Sequence, residues 1–98
     1  MNLFLATLGL PHPPPAELMD RIPDQQRRVQ ELLASGVIRS YTLALDRSTL
    51  WVILRASGRS EALTVLSSFP IIEWANVDLK ELAFQQSAEA QMPRFSLN

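Results

Sequence analysis

The period of the hydrophobic pattern switches along this chain, and each switch marks an element. Residues 2–9, NLFLATLG, are short, apolar and closed by proline, which suits a buried strand. His12 and the run Pro13, Pro14, Pro15 follow. Proline fixes φ and lacks an amide hydrogen, so this stretch is a stiff connector. Over residues 16–35 the apolar positions Leu18, Ile22, Val29, Leu32 and Leu33 fall on one helical stripe. Pro23 removes one hydrogen bond of that helix, so the helix is expected to kink there, or else a shorter one starts at that point. The kink is favoured, because Leu18 and Ile22 already share the stripe. Gly36 suits the left-handed residue that closes a helix.

Residues 37–46 and 49–57 are rich in β-favouring side chains, and Arg47 and Ser48 are expected to join them as a two-residue turn. In that register Asp46 pairs with Thr49, Leu45 faces Leu50, Leu43 faces Val52 and Tyr41 faces Leu54. Period-2 alternation then puts Ser40, Thr42, Ala44, Trp51, Ile53 and Arg55 on the opposite face. Residues 58–69 repeat the helical stripe with Ala62, Leu63, Leu66 and Phe69, and Pro70 stops it. Residues 71–84 supply a last strand, with Val77 and Leu79 on one face and Asn76, Asp78 and Lys80 on the other. Residues 85–98 read as a polar tail with scattered Met92, Phe95 and Leu97.

The order strand, helix, strand, strand, helix, strand is the ferredoxin-like βαββαβ arrangement of the α+β class. It forms a four-stranded antiparallel sheet with both helices on one face. The single domain is expected over residues 1–84. Two helices cover only one face, which leaves Trp51, Ile53 and Ala44 on the other. An open apolar face of that kind marks an interface or ligand site. A homodimer that closes a two-subunit barrel is the economical solution, and such dimers can assemble further.

Composition narrows the chemistry. With 98 residues, one histidine and no cysteine, thiolate metal sites, disulfides and a cysteine nucleophile are excluded, and no metal or cofactor is expected. Nine basic residues balance ten acidic ones, so nothing favours nucleic acid as a partner. The apolar start MNLFLATLGL has no basic flank and is too short to span a bilayer. A cytoplasmic protein without a membrane partner is therefore expected.

Three segments carry a resemblance. They are LASGVIRSY at 33–41, DRSTLW at 46–51, and FPIIEW continuing through Val77, Asp78 and Leu79. They resemble the muconolactone isomerase-like branch of the dimeric α+β-barrel superfamily, over roughly residues 1–84. The resemblance implies a homo-oligomer built from dimers, with a small-molecule pocket in or beside each half-barrel. It also implies an isomerase that moves a proton within an unsaturated lactone, which needs a general base and a stabiliser for the enolate oxygen. The acidic residue that the family would place on the first helix falls near Gln25. An amide takes no proton at neutral pH, and the neighbouring Asp24 points elsewhere on the helix.

Several single residues admit both a functional and a structural role. His12 is the weak catalytic candidate, because only its unperturbed pKa lies near neutrality. Solvation in the proline loop is the plainer reading. Ser40, Thr42, Trp51, Arg55, Asn76 and Asp78 are the candidate ligand-binding residues of the open face. Arg55 with Asp78 could orient a carboxylate, or form an ion pair between two sheets. Trp51 and Trp74 could stack on a flat ligand, although interface packing suits Trp51 better. Tyr41 should face the core with its hydroxyl at a helix end. Three readings follow: a small-molecule-binding homodimeric barrel, a cofactor-independent isomerase of a small unsaturated lactone or carboxylate, or a structural oligomerisation module.

Overall fold

A computed structural model describes residues 1–86. The expected tail, with Met92, Phe95 and Leu97, falls outside them from residue 87 onward. The chain runs β1 (Asn2–Gly9), α1 (Ala16–Asp20), α2 (Ile22–Ala34), β2 (Ile38–Leu43), β3 (Thr49–Ala56), α3 (Arg59–Ser67) and β4 (Asn76–Glu81). A short 3-10 turn at Ile72–Trp74 precedes β4. The sheet order is β2-β3-β1-β4, with every neighbouring pair antiparallel.

Alternation builds the core. Phe4, Ala6 and Leu8 of β1 and Leu50, Val52, Leu54 and Ala56 of β3 are buried on one face. Leu18 of α1, Leu32 of α2, and Ala62 and Leu66 of α3 pack against them, and Phe69 and Ile71 complete the cluster. Tyr41 meets Phe69 edge to face, with ring centroids 6.4 Å apart.

The first helical segment is broken rather than kinked. α1 ends at Asp20, and α2 restarts at Ile22 with Pro23 in its first turn. There the missing amide hydrogen costs nothing, and the chain avoids a clash of the proline ring with the carbonyl of Met19. Gly36 closes α2 as expected, at φ +79°.

The β2–β3 hairpin differs from expectation by an even number of positions. Leu43 pairs with Leu50 and Tyr41 with Val52. The connection is Ala44 to Ser48, with Arg47 NH donating to the Ala44 carbonyl at 2.9 Å. The Asp46 carboxylate accepts from the Ser48 amide at 3.0 Å and its hydroxyl at 2.7 Å, which places the turn earlier than Arg47 and Ser48. An even shift preserves the faces of the strand, so the assignment of sides survived. Leu45, expected opposite Leu50, instead stands fully exposed at the hairpin tip. A register shift between Ile38 and Ser40 leaves Arg39 as an extra residue. This turns Ile38 into the core beside Tyr41, where strict alternation would have turned it out.

Candidate functional site

A cavity of about 160 Å³ opens between the helices and the core face of the sheet, at the end where β1 leaves for the proline loop. Leu10, Leu50 and Ile71 line its inner side, and Leu18, Met19 and Ile22 of α1 and α2 line the helix side. Pro11, Pro14 and Leu43 complete the apolar wall. The polar lining is limited to Gln25, Gln26, Tyr41 and Arg47. The helix breaks between Leu18 of α1 and Ile22 of α2, and both residues line the cavity.

Gln25 organises the cavity. It lies between Ile22 and Val29 on the buried stripe of α2 and is 2% exposed. The Ile71 amide is a fixed donor, and it reaches the Gln25 Oε1 at 3.4 Å. The amide nitrogen of Gln25 therefore faces Tyr41, donating to its hydroxyl oxygen at 3.1 Å. Tyr41 is thus an acceptor toward Gln25 and keeps its own O–H to give. No acceptor for that hydrogen occurs among the described residues. Burial pushes the Tyr41 hydroxyl up from 10.0, and the Gln25 hydrogen bond offsets this in part. Tyr41 is consequently a neutral donor throughout the physiological pH range.

Arg47 completes the rim in an unfavourable backbone conformation. Its φ of +66° lies in the left-handed region, which costs a residue with a Cβ about 1 kcal/mol relative to glycine. Beside it, the Ser48 hydroxyl and amide hold the Asp46 carboxyl below its usual range, and the charge of His12 adds a smaller effect. Asp46 is thereby turned to Ser48, and among the described residues no carboxylate pairs with Arg47.

The six residues expected on the open face do lie there, behind the sheet as seen from the cavity. Thr42 pairs with Trp51, Trp51 with Thr7, and Thr7 with Asp78, so these four form one row across all the strands. Ser40, Ile53, Leu5 and Lys80 form the next row. Asn76 sits opposite Gly9, and Arg55 opposite Leu3. Arg55 and Asp78 are not brought together. They stand two strands apart and four positions along, about 16 Å between Cα atoms from strand spacing and rise. Asp78 lies 3.8 Å from Lys80 instead. Trp51 is 39% exposed, beside half-buried Leu5 and Ile53.

His12 is exposed and does not line the cavity, although Pro11 and Pro14 do. Asp24 is exposed and paired with Arg27 at 2.9 Å. Trp74 packs beneath Arg21, whose guanidinium carbon is 5.6 Å from the ring centroid. Among the described residues, no aspartate, glutamate, histidine or lysine lines the cavity, and no group of three or more potential metal ligands occurs. No helix among them is long and apolar enough to cross a membrane. Sequence reasoning placed Tyr41 correctly, with its hydroxyl at the first turn of a helix. It missed Gln25 as a structural residue. The available signal was its stripe position, three residues after Ile22 and four before Val29. Arg47 was read only as turn chemistry, and nothing local in the sequence signals its place on a cavity wall.

Sheet order, connection and helix placement together define the ferredoxin-like α+β fold. No protein-family model matches the chain, and no curated protein does. Among solved structures it is similar to muconolactone isomerase, at a TM-score of 0.69 and 17% identity, over 87% of this chain and 92% of that one. It is also similar to 5-chloro-2-hydroxyhydroquinone dehydrochlorinase from Burkholderia phenoliruptrix AC1100, determined in complex with 2,5-dihydroxybenzoquinone. There the TM-score is 0.61 and the identity 15%, over 89% of this chain and 97% of that one. At these identities the likeness establishes the fold. The resemblance noted in the sequence segments is met at that level.

Tyr41 is the sole tyrosine, so its titration can be followed directly by tyrosinate absorbance. The folded protein should titrate above 10.0 and the denatured chain near 10. Because the folded value is the higher one, the stability linked to Tyr41 is full below pH 10 and is lost as the pH rises through the folded value. A folded midpoint at or below 10 would show that the hydroxyl is not buried as described.

Proposed function

We propose that this protein binds a small, oxygen-bearing, single-ring metabolite in the cavity between α1, α2 and the sheet, and that it does so as a homodimer joined through its open sheet faces. The observation that carries the binding reading is the Tyr41 hydroxyl. It is a neutral donor at an otherwise largely aliphatic cavity, with no protein acceptor for its hydrogen among the described residues. An aliphatic-lined cavity of about 150 Å³ is known to hold one benzene ring, so about 160 Å³ suits one ring. The dehydrochlorinase of the same fold was determined with 2,5-dihydroxybenzoquinone, a single ring bearing carbonyl and hydroxyl oxygens, which supports this ligand class.

The dimer reading rests on the open face. Leu3, Leu5, Trp51 and Ile53 lie there without any covering element among the described residues. Arg55 and Asp78 stand toward opposite corners of this face. A two-fold axis lying between the two faces and perpendicular to the line from Arg55 to Asp78 would set the arginine of one copy near the aspartate of the other. In that arrangement Ser40, Thr42, Trp51, Arg55, Asn76 and Asp78 line the space between the sheets, and a ligand held there would meet them.

The isomerase alternative draws support from the fold shared with muconolactone isomerase. Proton transfer needs a base within hydrogen-bond reach of the substrate. The cavity presents an amide at Gln25 and a phenol at Tyr41 instead. Muconolactone is accordingly expected to persist unchanged in the presence of the protein, and protein-dependent turnover would support the isomerase reading.

Sedimentation at micromolar concentration should give a dimer, and Trp51→Glu should give a folded monomer. A monomeric wild type, or a dimer undisturbed by the substitution, would overturn the interface. The probe for the cavity is 4-hydroxybenzamide, followed by NMR chemical shifts. Saturable binding is expected, weakened about tenfold by Tyr41→Phe, which corresponds to one lost hydrogen bond of about 1.4 kcal/mol. Absent binding, or an unaffected Tyr41→Phe variant, would refute the reading.

A further inference from the structure

We infer that Arg47 is a specificity-determining residue that makes the cavity select anionic over neutral ligands of the same shape. The inference rests on the helix–sheet cavity being the binding site and adds the charge of its ligand.

Three observations carry it. First, Arg47 is the sole charged residue that lines the cavity among the described residues. Arginine is always protonated, so Arg47 brings a fixed positive charge to the lining at every working pH. Second, the guanidinium has no carboxylate partner among those residues, since Asp46 next to it is held by the Ser48 amide and hydroxyl. An anion arriving at the rim therefore displaces no internal ion pair. Third, Arg47 sits at φ +66°, where glycine or asparagine would be the unstrained choice. A turn alone does not call for arginine at that position.

The inner end of the cavity differs in kind from the rim. Gln25 is buried and commits Tyr41 to donating a single neutral hydrogen bond. A charge placed there would be poorly solvated, whereas a hydroxyl or carbonyl oxygen would be satisfied. The two ends thus ask for different groups. A ring oxygen substituent suits Tyr41, and a carboxylate or similar anionic group suits Arg47, which can meet it with a fork of donors. Such a ligand is a single-ring organic anion oriented with its charge outward. The rim is exposed, so the preference should weaken as salt is raised.

The test compares 4-hydroxybenzoate with 4-hydroxybenzamide, which share the ring and hydroxyl and nearly the same shape but carry an anionic carboxylate or a neutral carboxamide. At low salt the wild type should bind the carboxylate about tenfold more tightly, and the difference should shrink toward 0.5 M salt. Arg47→Gly should abolish the preference, bringing the affinities for the two probes within about twofold of each other. Glycine is at ease at positive φ, so this variant should melt within about 5 °C of the wild type. Arg47→Lys should retain part of the preference, because it keeps the charge and loses the fork. Equal affinities for the two probes in the wild type, or a preference that survives in Arg47→Gly, would overturn the inference while the binding reading stands. Failure of both probes to bind would instead refute the binding reading itself.

Discussion

A buried amide decides how this domain is put together at the end where the cavity opens. Gln25 occupies a position on the α2 stripe where an aliphatic residue would simply pack down on the sheet. An amide cannot do so without hydrogen-bond partners, because burying it unpaired costs about 1–3 kcal/mol. Its two partners come from different parts of the chain. Tyr41 belongs to β2, and Ile71 follows α3. The bridge therefore ties the helix to an edge strand and to the α3–β4 connection at once. Between these fixed points the helices stand off the sheet enough to leave the cavity. The same bridge makes the Tyr41 hydroxyl oxygen an acceptor and leaves its hydrogen without a partner among the described residues.

The sheet separates two surfaces of different character. The helix side holds the core and the cavity, and the far side holds Trp51 with its polar row. The extra residue at Arg39 sharpens the division by bringing both Ile38 and Tyr41 to the helix side of β2. A ligand in the cavity and a second copy on the open face can then coexist without competing for the same side chains. Both still lean on β3, whose Leu50 lines the cavity while the adjacent Trp51 points out.

Much of the fold could be read from alternation and stripe spacing. The order of elements along the chain, the covered face and the left-handed Gly36 all followed from short-range rules. The hairpin register did not, because the turn is governed by the Asp46 side chain and by a non-glycine residue at positive φ. Neither leaves a propensity signal as strong as an Asn-Gly pair. The kink expected at Pro23 became a break, since proline is better tolerated in a first turn than in a helix interior. For the site, the open face was read correctly as a surface, but the cavity behind it was not seen. Its walls come from residues distant in sequence. Gln25 was noticed as a missing acid rather than as a buried hydrogen-bonding residue at a stripe position.

The account turns on where a ring would sit and what would hold it. A crystal structure with 4-hydroxybenzamide soaked in tests this most directly. The ring is expected between Ile22, Leu50 and Ile71, with its hydroxyl oxygen about 2.7–3.0 Å from the Tyr41 hydroxyl and the Gln25 bridge intact. A ring lodged on the open face beside Trp51, or an unfilled cavity at saturating probe, would contradict it.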